Sequence, residues 1–213
     1  MLLRIHPDNP QERLLQQVID CLRNGGVIIY PTDTMYGFGC DISNKKAVNR
    51  ICSLKGITPD KVHLSCVCKD LAIIGSYANQ VSTPVYKMMK HAFPGPYTFI
   101  LKASKQIPRH FQHKKTVGIR VSSHSIPTLL AQHLGNPIAS ISLPYDAEQI
   151  EYNMDPDLIY ERYGQQVDLM VDGGYGNLEP STVIDCSEGE NQIKIIRVGS
   201  GSLSDLGVEI NEE

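Results

Sequence analysis

Val27-Ile28-Ile29-Tyr30-Pro31-Thr32-Asp33-Thr34-Met35-Tyr36-Gly37-Phe38-Gly39 joins an apolar, β-branched strand core to a polar turn, and the reading of the whole chain hangs on this junction. The run 27–30 has strand character, and Pro31 ends it by removing a ladder donor. Two threonine hydroxyls, one carboxylate, one phenol and two glycines follow at once. Donors and acceptors therefore gather where a sheet meets solvent, the place at which open α/β sheets bind ligands. A turn whose threonines satisfy only their own backbone has the same composition, so other segments must decide.

Upstream, Asn9 and Pro10 read as an N-cap and first helical position, and Leu14, Leu15, Val18, Ile19 and Leu22 recur at helical spacing as far as Asn24-Gly25-Gly26. Downstream, strands are predicted at 37–42, 62–68, 97–103, 116–121, 137–142, 167–172, 181–186 and 193–198. Helices are predicted at 45–54, stopped by Gly56, and near 82–91, 126–134 and 155–163. This alternation predicts an α/β fold around one sheet, and the short connections Gly173-Gly174 and Ser187-Glu188-Gly189 predict some antiparallel pairing, hence a mixed sheet. No repeat, low-complexity tract or linker divides the chain, so 1–213 reads as one domain with a frayed end at Asn211-Glu212-Glu213.

Composition narrows the class. With 213 residues, 41% apolar and 20% charged, the chain suits a globular domain, and no apolar run approaches the roughly 20 residues that cross a bilayer. Met1-Leu2-Leu3-Arg4-Ile5-His6 lacks the apolar core of a secretory signal, so a cytoplasmic location and no membrane partner are expected. The six cysteines form no CxxC pair, and Cys66 and Cys68 read as small hydrophobes on one strand face rather than as metal ligands. Residues 1–145 hold 17 Lys/Arg against 7 Asp/Glu, net +10, and residues 146–213 hold 3 against 16, net −13. Within 102–120, Lys102, Lys105, Arg109, Lys114, Lys115 and Arg120 stand with no acidic residue among them, a field suited to phosphates unless the acidic third folds against it.

Four further segments carry candidate chemistry. Thr116-Val117-Gly118-Ile119-Arg120-Val121 alternates Thr116, Gly118 and Arg120 to one face, and Arg120 offers a planar fork for a carboxylate or phosphate, or else an exposed charge on an edge strand. Ser140 and Ser142 share a face near another strand end; with no GxSxG elbow they read as hydrogen-bond partners rather than nucleophiles. Ser181 and Arg197 lie on consecutive strands that can close a pocket, and Lys55 follows a helix, where it can complement the carbonyl end or reach an anion. Phe93-Pro94-Gly95-Pro96-Tyr97-Thr98-Phe99 reads as a rigid turn of mainly architectural use. No Walker A, GxGxxG or HExxH sequence is present.

In this order, YPTDTMYGFG at 30–39, Lys55, FPGPYTF at 93–99, TVGIRV at 116–121, SxS at 140–142, PST at 180–182 and IIRVG at 195–199 resemble the YrdC family over nearly the whole chain. The resemblance implies a twisted, mixed α/β sheet with flanking helices and a basic concave cavity. It implies RNA binding, of tRNA or double-stranded RNA, or synthesis of threonylcarbamoyl-AMP from L-threonine, bicarbonate and ATP with release of pyrophosphate. On that resemblance Thr32, Thr34, Arg120, Ser140 and Ser181 would meet the threonine or threonylcarbamoyl group. Lys55, Thr116, Ser142 and Arg197 would serve the adenine nucleotide, with magnesium entering on ATP and held by phosphates and water. No covalent protein intermediate is implied. Where the synthases carry KxR this chain has Lys55-Gly56-Ile57; Leu143-Pro144 stand in place of Ala-Asn, and Val67 in place of a histidine. That pattern is most similar to the YciO branch. It leaves open an enzyme that hydrolyses or transfers a threonylcarbamoyl group on RNA or adenylate, and a non-catalytic RNA binder.

Overall fold

The apolar stripe Leu15, Val18, Ile19 and Leu22 is buried on one side of a helix at Glu12–Arg23, as its spacing predicts. In the computed structural model, which describes residues 1–58, 64–108 and 115–207, the elements follow as β1 (Leu2–Arg4), α1 (Glu12–Arg23), β2 (Ile28–Tyr30), β3 (Gly37–Asp41), α2 (Lys45–Leu54), β4 (Ser65–Val67), α3 (Ile74–Tyr77), α4 (Thr83–Ala92), β5 (Tyr97–Lys102), β6 (Thr116–Arg120), α5 (Ser125–Leu134), β7 (Ile138–Ser142), α6 (Pro156–Tyr163), β8 (Leu169–Asp172), β9 (Thr182–Asp185) and β10 (Lys194–Arg197). Arg109, Lys114 and the expected frayed end at 211–213 lie outside the described residues.

Among the described residues, ten strands form one sheet in the order β1-β8-β2-β3-β7-β4-β6-β5-β9-β10. It is mixed: β1 with β8, β8 with β2, β4 with β6 and β5 with β9 run parallel, and the remaining neighbours antiparallel. One face packs α1 and α5 against Ile28, Tyr30, Val67, Ile138, Leu169 and Val171. The opposite face buries Phe38, Cys40, Cys66, Phe99, Ile119 and Met170 under α2, α4 and α6. Cys66 and Cys68 are buried there as free thiols, and burial pushes Cys66 up to about 12, so neither is poised as a thiolate.

Two expectations need correction, and one strand is additional to them. The first helix does not begin at Asn9-Pro10: Asn9 N–H closes a turn on His6 O at 3.3 Å, and Gln11, extended and without a side-chain cap, precedes Glu12. The Gly173-Gly174 connection is no hairpin, because β8 lies second in the sheet and β9 ninth; of the two short connections, only the one between β9 and β10 joins antiparallel neighbours. Residues 2–4, left unassigned from sequence, form an edge strand too short to show a period.

Acidic residues of the C-terminal third do fold against the basic part: Asp172 and Asp157 hold Arg4 at 3.2 and 3.0 Å, and Asp168 holds Arg50. Among the described residues, no helix is long and apolar enough to cross a membrane.

Candidate functional site

Strand register decides which side chains share a face. Ile28, Gly39, Ser140, Ser65, Gly118, Ile100 and Asp185 stand in one row across seven strands, and Val67 and Arg120 pair in the next row of that face. Beyond β7 most residues of this face are small or polar, with Val67, Ile100 and Val183 the apolar ones, and Ser65, Thr116, Gly118, Ile100, Ser142 and Val183 remain partly exposed. The helices α1 and α5 bury the other half, so the face is apolar where helices cover it and hydroxyl-rich where they do not.

Arg120 is the centre of the bare half. It is 7% exposed and lies on an internal strand, not an edge. Its Nη2 donates to Thr34 Oγ1 at 2.6 Å and to the Asp33 carboxylate. Its Nε is buried and has no partner. Burial acts to raise the Asp33 carboxyl, but the Arg120 guanidinium and the hydrogen bonds from Ser123 and Ser122 outweigh it and hold Asp33 below its ordinary range. Asp33 also accepts from Ser123 N at 2.9 Å, which ties the β2–β3 turn to the loop after β6. The arginine is thus clamped on one side and left with an unused buried donor, an arrangement costly to a folded protein unless an anion completes it.

The turn that supplies Thr34 is fixed from several directions. Thr32 Oγ1 donates to Met35 O at 2.7 Å and accepts from Thr34 N at 3.1 Å. Asn177 donates through its backbone N–H to Thr34 O at 3.2 Å and through Nδ2 to Asp33 O at 3.1 Å. Thr32 is therefore spent on the turn, the alternative weighed at the outset, whereas Thr34 faces Arg120.

Next along the row, Thr98 and Ser181 share a hydrogen bond of 2.9 Å, and Arg197 donates from Nε to Ser181 O at 3.0 Å and from Nη2 to Ser181 Oγ at 3.3 Å. The β5–β6 register sets Thr98 beside Arg120, so Ser181 and the arginine it holds lie next to Arg120; burial, and then the charge of Arg120, lower the Arg197 guanidinium from its ordinary value. Thr34, Arg120, Ser181 and Arg197 form one cluster. Lys55 and Ser142 form a second: Lys55 Nζ donates to Ser142 O at 2.8 Å, and burial lowers its amine. Thr116 lies four residues from Arg120 on β6. Ser140 sits between the clusters, accepting from Tyr30 O–H at 2.7 Å and donating to Phe38 O at 3.2 Å, so both its capacities serve the sheet.

The structure thus holds Arg197 against Ser181 and Lys55 against Ser142. Asp33 and Thr98, assigned no role from sequence, hold the two arginine contacts together; the signal for Asp33 was its place between Thr32 and Thr34. Val67, paired with Arg120, and Leu143, next to Ser142, are buried in the two cores, and Ile57 packs partly against one of them, so these apolar residues replace polar groups by joining the scaffold.

His124 caps α5, its Nδ1 accepting from Ile126 N at 3.2 Å. Burial lowers its imidazole below the usual value, more than Asp33 and Asp8 raise it. A depressed imidazole contributes stability that is whole above about pH 6.5 and is lost as pH falls through the folded value. Urea midpoints should decline between pH 7.5 and 5 more steeply in the wild type than in His124→Asn, which keeps a capping acceptor that does not titrate.

The Sua5/YciO/YrdC family model, described as "Telomere recombination", matches residues 20–199. The chain is 40% identical to YciO of Escherichia coli (strain K12) over 201 residues, 93% of this chain and 95% of that protein. The crystal structure of E. coli YciO matches with a TM-score of 0.86 and 39% identity over 97% of this chain and 98% of that one. A variant of P. abyssi Sua5 matches with a TM-score of 0.83 and 25% identity over all of this chain and 64% of that one. The threonylcarbamoyl-AMP synthase of Halorhodospira halophila (strain DSM 244 / SL1) is 30% identical over 164 residues, 76% of this chain and 84% of that enzyme. With motifs, family model, relatives and overall fold in agreement, the chain belongs to the Sua5/YciO/YrdC family.

Proposed function

We propose that the bare half of the sheet binds L-threonine and ATP and that the protein forms L-threonylcarbamoyl-AMP from them and bicarbonate, releasing pyrophosphate. The observation that carries this reading is Arg120, clamped by Asp33 and Thr34 with its buried Nε free for a carboxylate. The similarity to a threonylcarbamoyl-AMP synthase supports the choice of substrate. In the reaction the neutral threonine amine adds to the carbon of bicarbonate and water is lost to give an N-carboxylate (carbamate), whose oxygen then attacks the α-phosphorus of ATP as the bond to pyrophosphate breaks and pyrophosphate leaves. The residues' task is to position anions and spread phosphate charge: Thr34, Arg120 and Ser181 hold the amino acid, Arg197 reaches the phosphate that joins the two halves, and Lys55, Thr116 and Ser142 face the nucleotide. Magnesium would enter with ATP; among the described residues no group of three or more His, Cys, Asp and Glu side chains is arranged to hold a metal.

A second reading has its own observation. Ile57, Val67 and Leu143 pack with the cores where synthases carry polar groups, which favours an enzyme that receives a threonylcarbamoyl group, on adenylate or RNA, and hydrolyses or transfers it. One assay separates the two. Pyrophosphate release from ATP that requires both threonine and bicarbonate, and falls at least about tenfold in Arg197→Ala, is the expected result. No release above blank, with breakdown of supplied threonylcarbamoyl-AMP, would establish the second reading instead.

A further inference from the structure

A cavity of about 160 Å³ lies at the end of β5 remote from Arg120, walled by Gln80, Ser82, Lys102 and Glu188 over a floor of Val85 and Leu101. Lys102 pairs with Thr116, and Arg120 is four residues further along β6, so the cavity stands about 13 Å or more from the arginine cluster. The segment before α4 is pinned onto the strand end by Asn79 N–H donating to Lys102 O at 2.8 Å, and Gln80 turns the chain at a φ of 56°.

The cavity gathers one cation, a helix N-terminus and unused donors. Ser82 occupies the N-cap of α4 but caps nothing, and its Oγ is buried without a partner. The first bond into the helix is Tyr86 N–H to Ser82 O; position 84 is proline, and Val85, which lines the cavity, has a backbone N–H with no carbonyl partner at this positive helix end. Lys102 Nζ reaches only Gln80 Oε1, at 3.2 Å, and no carboxylate of the described residues comes within 4.0 Å of it. Glu188, exposed at the rim, is the one opposing charge among the lining residues. The volume suits a small ion and its water, each water needing ~30 Å³, and is too small for a nucleotide.

We propose that this cavity is a binding site for a small tetrahedral oxyanion, either inorganic phosphate or the terminal phosphate of a larger molecule. Ser82 Oγ–H, the Val85 backbone N–H and the Lys102 ammonium each donate to it, and Glu188 limits how tightly it is held. The proposal is independent of the reaction on the bare sheet face.

Binding is measured calorimetrically and by thermal shift in Arg197→Ala protein, with sodium phosphate against sodium chloride at equal ionic strength; any phosphate still held by Arg120 is recognised because it is insensitive to the cavity substitutions below. Saturable stabilisation by phosphate is expected. Ser82→Ala, which removes an unpartnered hydroxyl, should leave the phosphate-free protein as stable or more so while weakening phosphate roughly tenfold or more; Lys102→Ala should weaken it similarly, and Glu188→Gln should tighten it. Competition by AMP identifies a terminal phosphate as an accepted source, and binding of inorganic phosphate alone identifies the free ion. No phosphate-specific stabilisation, or stabilisation unchanged in both Ser82→Ala and Lys102→Ala, overturns the proposal.

Discussion

Arg120→Ala should lose threonine binding altogether and lower stability by about 3–5 kcal/mol, the cost of removing one member of a buried ion pair. The reason lies in what is left behind. The Asp33 carboxylate has a side chain only 7% exposed, and without Arg120 it becomes an uncompensated charge, retaining only its bonds from Ser123 and Ser122. The pH response should therefore reverse. In the wild type the Asp33 carboxyl is depressed, so its contribution is whole above about pH 4 and is lost as pH falls through the folded value. In Arg120→Ala, burial acts with little opposition and raises the carboxyl, so stability should improve as pH falls toward 5. Asp33→Asn in the Arg120→Ala background should recover much of the loss at pH 7, and the four urea midpoints of that cycle give the coupling directly. A single variant that keeps wild-type stability at pH 7 would show that the pair is not buried as described. Arg120→Lys should restore charge without the planar fork, and so stability better than ligand binding.

Gly199→Ala is the second large effect expected. A Cβ at this position would stand 2.1 Å from Pro180 O and 2.8 Å from the Ser181 carbonyl carbon, both backbone atoms that cannot swing away. The strand end must separate, breaking Gly199 N–H to Thr182 Oγ1 at 2.9 Å and Ser200 N–H to Pro180 O at 2.9 Å. Overpacking of this kind costs about 3 kcal/mol, or roughly 6–12 °C of melting temperature in a chain of this size. Because Arg197 is held by Ser181 across the same seam, ligand affinity should fall together with stability. Gly75→Ala, where an added Cβ meets nothing within 4 Å, is the control and should change stability by no more than about 0.5 kcal/mol. Melting curves of the two variants, with and without ligand, test the pairing of effects.

Most of the architecture was legible because local signals agreed with the tertiary solution. The 3.6-residue stripe of α1, the strand-to-Pro31 junction and the alternation within 116–120 each state a burial pattern that the sheet then enforces. Arg120 and Thr34 could be named as candidates, but their mutual contact spans 86 residues, and nothing in either segment states it. Asp33 shows the limit most clearly. In sequence it is one acidic turn residue; its role follows from a partner on β6 and a serine on the following loop. Ser140 was legible as a face and illegible as a function, since the Tyr30 phenol that occupies it comes from 110 residues away.

The connection from β8 to β9 sets a dimension. Seven inter-strand spacings separate these strands, about 34 Å across a flat sheet, while ten Cα steps from Asp172 to Thr182 reach only about 35 Å when fully stretched. The segment is not stretched: Gly174 turns at a φ of 94°, its carbonyl accepts from Tyr36 O–H at 2.6 Å, and Asn177 leans aside to grip Thr34. A chord that short requires the sheet to be rolled into a trough, with Arg120 on its inner wall. Residues 173–181 then act as a hoop whose length gauges the girth of that trough, so that relatives with a longer or shorter hoop would accept wider or narrower guests on the same strands.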